Sequence, residues 1–273
     1  MAEKPTSLIS LFRSIKRNRR LTFEMTKREI QKKYRGSVLG LVWALITPLL
    51  MLLVYTFVFS VILKSRWGGD ANESRADFAI LLFAGLIVFN IFSEALNQAP
   101  YLVVQNVNYV KKVIFPLEIL SWVSLGGIFF HAVVQIGILL IVQLFLKAYI
   151  PWTVLFVPFI LLPMFLLSLG VSWFVSSLGV FIRDIGQMLS LLTTVLLFTS
   201  AVFFPISALP QSAQVVFRFN PIVFLVEESR NVMVYGQVPD WLTLALLTVL
   251  TAGIAYAGFW WFQKARNGFA DVL

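Results

Sequence analysis

Six stretches of this chain are apolar for long enough to cross a membrane, and nothing else in it restricts the fold so strongly. They fall at about residues 38 to 63, 78 to 99, 119 to 146, 154 to 180, 188 to 204 and 241 to 262. A hydrocarbon core of about 30 Å needs roughly 20 helical residues, and a backbone inside it must satisfy its own hydrogen bonds. The expected fold is therefore an all-α integral membrane protein with six transmembrane helices. Composition agrees, since 59% of the 273 residues are hydrophobic and 13% are charged, against roughly 45–50% and 25% in soluble domains.

Charge orients the bundle. Eleven of the 22 Lys and Arg lie in residues 1 to 35, and they stop where the first apolar run begins at Val38. Lys and Arg beside membrane spans stay in the cytoplasm. Six spans put both termini on one side, which then carries 16 Lys and Arg against 6 on the other, so both termini are expected to be cytoplasmic. Trp43, Trp122, Trp260 and Trp261 fall near the inner boundary and Trp67, Trp152 and Trp241 near the outer one, as interfacial aromatic belts do. The net charge of +9 does not indicate nucleic acid, because the basic residues flank spans instead of forming a patch interleaved with aromatics. Absence of cysteine excludes disulfides and thiol chemistry, and a single histidine excludes a His-cluster metal site. The first apolar run starts late and ends without a small-residue cleavage pattern, so it is expected to remain as an anchor.

Three segments are neither spans nor ordinary loops. Residues 8–35 place Leu8, Leu11, Phe12 and Ile15 at helical spacing, then Met25 and Ile30 among charges. They read as one or two amphipathic helices on the inner surface, with Thr26 and Glu29 as a capping box for a second piece; a solvated basic arm is the alternative. Residues 100–116 carry Val103, Val107, Val110 and Ile114 on one helical stripe, with Gln105, Asn106, Asn108, Lys111 and Lys112 on the other faces. Proline at each end suits a short cytoplasmic helix, which either docks a partner or caps the bundle. In residues 204–236 the turn signal Asn220-Pro221 separates two apolar pieces, each only about 20 Å long as a helix. A re-entrant helical hairpin on the outer side, before the last span, is expected, with two surface helices as the alternative. The chain thus divides into a headpiece, residues 1–37, and a six-span domain, residues 38–273.

The chemistry is sparse. No GxxxxGK[ST], HExxH, GxSxG or metal-spaced acidic cluster occurs, so nucleotide binding in the Walker manner is excluded. Asp70, Glu73 and Asp77 share a short segment with Arg66 and Arg75 and read as a solvated loop. His131 and Gln135 lie on one face of the third span, where a hydrogen bond between helices, about 0.6 kcal/mol, is favoured over a proton relay; Glu94 in the second span carries the same ambiguity. Glu227 and Arg230, with Glu228 between them, form an i,i+3 pair with the acid first and either stabilise the outer element or gate it. Arg183 and Asp184 fill a very short inner loop, as helix-end anchors or as a docking contact. Ser168, Ser172 and Ser176 recur at the spacing that lets membrane helices approach closely, and Gly36 and Gly40 form a weaker pair of the same kind.

Taken in order, REIQKKYRGSVLGLVWALITPLL, NYVKKVIFPLEIL, RDIGQ and NPIVFLVEESRNVM resemble the permeases of polysaccharide ATP-binding-cassette exporters, nearest to O-antigen (lipopolysaccharide) export permeases of the Wzm type, with capsule and teichoic-acid permeases as relatives. The resemblance implies a homodimer in the bacterial inner membrane, working with a separate Wzt-like ATPase dimer that binds ATP and Mg; the chain itself is then no enzyme and needs no cofactor. It implies that residues 100–116 hold the coupling helix, with Asn106, Asn108, Tyr109, Lys111 and Lys112, and that Arg183 and Asp184 also face the ATPase. It makes 204–236 the periplasmic gate, with Asn220, Pro221, Glu227, Glu228 and Arg230. The implied substrate is an undecaprenyl-diphosphate-linked polysaccharide, whose sugar chain passes through a channel between two protomers. Candidate lining residues are Trp43, Tyr55, Phe59, Phe198 and Phe203, and Arg28, Lys32, Lys33 and Arg35 are candidates for the diphosphate. An ion-coupled transporter using His131, Glu94 or Glu227 and a lipid-linked sugar transferase are the readings from other classes.

Overall fold

The computed structural model describes residues 8–62, 67, 75–111 and 115–273. Among these residues every regular element is helical. In chain order they are α1 (Leu8–Tyr34), α2 (Trp43–Thr56), α3 (Arg75–Gln98), α4 (Tyr101–Val104), α5 (Val107–Lys111), α6 (Ile119–Lys147), α7 (Val157–Phe181), α8 (Ile185–Thr199), α9 (Gln211–Arg218), α10 (Pro221–Arg230), α11 (Trp241–Ala265) and α12 (Phe269–Val272). Four helical stretches are long and apolar enough to cross a membrane: Ala76–Gln98, Ile119–Lys147, Trp152–Phe181 and Trp241–Val272. Two shorter apolar helices, Trp43–Phe59 and Ile185–Thr199, occupy the places of the expected first and fifth spans.

The core forms around α3, which packs against α6, α7, α8 and α10. Leu82, Ala84 and Val88 of α3 are fully buried, as a helix apolar on all sides requires. The closest backbone approach joins α7 to α11. A methyl group added at Gly170 would meet the backbone of Ile254 and Ala255, and one at Gly258 would meet the backbone of Gly170. Ser168, Ser172 and Ser176 are buried too, but the glycines set this seam. Gly36 and Gly40 play no packing part: both have positive φ, 86° and 50°, in the turn from α1 to α2, a conformation that costs other residues.

The headpiece is one helix and not two. Residues 8–34 form one continuous helix, so Thr26 caps nothing and instead packs over Gly126 of α6. Ser14 donates to Glu118 at 2.7 Å, and Tyr34 reaches His131 at 3.1 Å. Between those contacts about 30 Å of α1 runs beside about 20 Å of α6, so the two helices cross obliquely. Residues 100–116 are likewise not one helix. The described part is α4 and α5, joined by a turn at Gln105 and Asn106; Lys112 and Ile114 lie outside the described residues. Asp77 belongs to α3 and pairs with Lys147 of α6 at 2.7 Å, while Asp70, Glu73 and Arg66 lie outside the described residues.

The expected span over 188–204 is cut short, because α8 stops at Thr199. Ala201 takes a positive φ of 51°, and Ala201, Val202 and Phe203 turn inward and are buried. What holds them is a side chain from α10.

Candidate functional site

Around the end of α1 lie two polar cavities, of about 550 Å³ and about 400 Å³. The larger is walled by α2, α3, α6 and α8, each contributing polar groups: Thr47, Asn90, Ser93, Glu94, Gln135, Thr193 and Thr194, beside the rings of Trp43 and Tyr55. Lys33, Glu94 and His131 line both cavities and so partition them. Lys33 Nζ stands 4.0 Å from Glu94 Oε2, with both side chains part-exposed, an ion pair at its outer limit. The Tyr34 hydroxyl lies 3.1 Å from His131 Nδ1, a hydrogen bond whose direction follows the imidazole tautomer. Partial burial, with the charge of Glu94 second, pushes the Tyr34 phenol up from its ordinary value, so it is protonated at physiological pH. His131 therefore makes a hydrogen bond between helices, α6 to the headpiece α1. Nothing in the periodicity of α1 marked Tyr34 as its partner.

The four headgroup candidates separate. Arg28, Lys32 and Arg35, together with Lys27, line a broad hollow of about 990 Å³ on another side of α1, with Phe23 and Phe130 as its apolar part. No acidic residue among the described residues lines it, so it is suited to an anion. Lys33 lines both polar cavities instead, beside Glu94, and Lys32 is shared between the hollow and the smaller cavity.

Four of the five aromatic candidates come together. Phe59 stacks on Phe203 at 4.4 Å, and Tyr55 and Phe198 meet Phe203 at 5.6 Å and 5.4 Å. Phe203 is buried beneath the others, leaving Tyr55, Phe59 and Phe198 with free ring surface. Trp43 stands apart at the larger cavity.

In residues 204–236 α10 enters the bundle and packs on α3 and α7, while α9 has no buried residue. Asn220 caps α10 through Ile222 N at 3.0 Å and ties it to the end of α8 through the Thr199 carbonyl and Ser200 hydroxyl. The expected Glu227–Arg230 ion pair does not form. Arg230 donates instead to the carbonyls of Leu81, Ala201 and Val202 at 3.0, 2.9 and 2.7 Å, with its guanidinium 4.1 Å from the Trp67 ring centroid. A buried cation needs all its donors used, and the unwound end of α8 offers the free carbonyls. Gly85 makes the room, since any side chain there would collide with the guanidinium. Glu227 accepts from Ile206 N at 3.4 Å, and Glu228 accepts from Asn231 and from Asp240 N. Asp240 caps α11, its carboxyl held below the ordinary value by hydrogen bonds from Thr243 and Leu242.

The described coupling candidates lie toward the opposite end of the bundle, where α4 meets the α7–α8 turn. Asn108, Lys111, Arg183 and Asp184 are exposed, and Asn106 is half-buried with its amide donating to the Leu102 carbonyl at 2.8 Å. Tyr109 stacks on Phe115 at 4.4 Å. Gly179 receives the Pro100 backbone so closely that it tolerates no side chain, and Gly186 receives the Tyr101 hydroxyl, which seats α4 against the α7–α8 turn. Glu118, a residue the sequence did not single out, joins the parts: it accepts from Ser14 of α1 and from Arg266 at 3.2 Å, while its carbonyl accepts from Trp173 of α7 at 3.0 Å. Arg266 also donates to the Phe115 carbonyl at 2.9 Å. Among the described residues no group of acidic or histidine side chains is placed to hold a metal ion.

Residues 20–234 match the pattern of the ABC-2 type transporter family. The chain belongs to that family. As an ABC-2 permease it is a transport subunit and a multi-pass membrane protein. It is similar to the O-antigen export system permease protein RfbA of Myxococcus xanthus, 23% identical over 97% of this chain and 100% of the relative. A second RfbA, from Klebsiella pneumoniae, is 21% identical over 91% of this permease and 93% of the relative. The polysialic acid transport protein KpsM of Escherichia coli is 26% identical over 85% and 88%.

Proposed function

We propose that this permease exports a lipid-linked polysaccharide, O-antigen in the first reading, across the bacterial inner membrane, driven by a separate ATPase dimer. The observation that carries this reading is the end-to-end likeness to a protein named as an O-antigen export permease, covering 97% of this chain. Six spans, with α2 and α8 completing the four long helices, put both termini in the cytoplasm in this proposal. Residues 1–37 then act as the headpiece of a transmembrane domain, residues 38–273. Two copies pair so that the sugar chain passes between them, beside the Tyr55, Phe59 and Phe198 rings.

In this reading an undecaprenyl-diphosphate headgroup meets Arg28, Lys32 and Arg35 in the acid-free hollow. ATP binding and hydrolysis, with Mg, occur on the partner. The force enters through Asn106, Asn108, Tyr109, Lys111 and Lys112 and through Arg183 and Asp184, and the outer segment with Asn220, Pro221, Glu227, Glu228 and Arg230 gates the exit. Deleting the gene should remove O-antigen from the cell surface while lipid-linked precursor accumulates inside; unchanged surface glycan overturns the proposal. The likeness to KpsM favours a capsule permease as second reading, identified by loss of capsule with O-antigen intact. Export that continues without ATP and follows an ion gradient would favour a secondary transporter instead.

A further inference from the structure

Polar side chains at membrane depth are costly unless they face one another, water or a polar ligand. The 550 Å³ cavity beside the end of α1 gathers them from four helices: Thr47, Asn90, Glu94, Gln135 and Thr194, with Trp43 and Tyr55 as ring surfaces. Gln135 Oε1 is buried without a hydrogen-bond partner, and Glu94 Oε2, also without a hydrogen bond, has only the distant Lys33 ammonium at 4.0 Å, so both can accept from a further donor. The volume lies within the range of small-molecule sites, about 300–1,000 Å³. Tyr34 lines this cavity and also the acid-free basic hollow, so the two are neighbours across the tip of α1.

We propose that this cavity is a carbohydrate subsite, which takes the pyranose nearest the diphosphate while the diphosphate itself sits in the basic hollow. A pyranose suits the walls on both counts. Its C–H faces pack on aromatic rings, and its hydroxyl or acetamido N–H groups donate to the unpartnered acceptors, which remain costly if left unpaired. A bare acyl chain satisfies none of these groups. One wall, α2, has no buried residue. This inference rests on the export reading above and adds the site at which the first sugar is selected.

The test uses the full-length permease with its ATPase partner in lipid nanodiscs, carrying a single photo-crosslinking residue in place of Gln135 or of Phe130. Each is irradiated with ³²P-labelled undecaprenyl diphosphate, either bare or bearing one N-acetylhexosamine. Phe130 lines the basic hollow and should label with both lipids. Gln135 should label at least fivefold more with the sugar-bearing lipid, and free N-acetylhexosamine should reduce that labelling. A probe in place of Trp43 should reproduce the Gln135 pattern, guarding against a local misfolding at Gln135. Labelling at Phe130 with none at Gln135 or Trp43, or equal labelling of both lipids there, overturns the subsite and leaves the export reading standing. No labelling at any position overturns the subsite together with this substrate class, and the deletion experiment separately decides export.

Discussion

Gly85 and Arg230 carry the residue-scale consequence. Three hydrogen bonds from a buried cation to carbonyls, each worth about 1.5–3 kcal/mol when charge-assisted, hold the unwound end of α8 against α3. Gly85→Ala pushes a methyl group into the guanidinium and should destabilise by about 1–3 kcal/mol, as overpacking does, read as a lower thermal midpoint in detergent. Gly127→Ala, where nothing stands within 4 Å, should leave the midpoint unchanged. Equal behaviour of the two variants would refute the account of Gly85. Arg230→Met should cost more than Gly85→Ala, because it leaves the Ala201 and Val202 carbonyls unpaired at once. From the sequence an i,i+3 ion pair was the natural expectation for Glu227 and Arg230; the carbonyls that displaced it come from residues about 30 and 150 positions away in the chain, beyond any local spacing rule.

At the scale of elements, α1 is fastened beside α6 by Ser14 to Glu118, Thr26 over Gly126, and Tyr34 to His131. Glu118→Gln removes the charge opposite Arg266, and because Arg266 is 35% exposed the loss should be only about 1 kcal/mol. Its effect is local. Hydrogen exchange in residues 14–30 should quicken, while exchange in α3, at the centre of the bundle, stays as it was. A second prediction concerns α4. Gly179→Val displaces Pro100 and should separate the coupling segment from the α7–α8 turn, so that ATP hydrolysis continues while glycan export falls at least tenfold; parallel loss of both activities would place the defect elsewhere. The helical stripe of residues 100–116 was legible in Val103, yet the break into α4 and α5 was not, since it depends on Tyr101 and Pro100 being seated against α8 and α7.

For the whole molecule the decisive question is the path of the chain across the membrane. The sequence contains no cysteine, so single-cysteine variants report without background. Asn108→Cys should label with a membrane-impermeant maleimide only from the cytoplasmic side, and Val238→Cys only from the outer side; labelling of both from one side would refute six spans. Reversing charge with Lys111→Glu should weaken coupling to the ATPase without lowering the thermal midpoint, as Lys111 is exposed, and unchanged export would make α5 a cap on the bundle.

The hydrophobic runs of the sequence were enough to determine an all-helical membrane protein, since hydrocarbon leaves a backbone few alternatives. Charge patterning and the order of short motifs were enough to suggest the family, because these are properties of neighbouring residues. The tertiary structure alone decided where α8 ends, how α1 leans on α6, and which cations of α1 look into a hollow without acid. These depend on partners distant in sequence: Arg230 on the carbonyls of three remote residues, Glu118 on Ser14 and Arg266, and Tyr34 on His131. Packing assembles such groups only after the helices have formed, so no periodicity along the chain announces them.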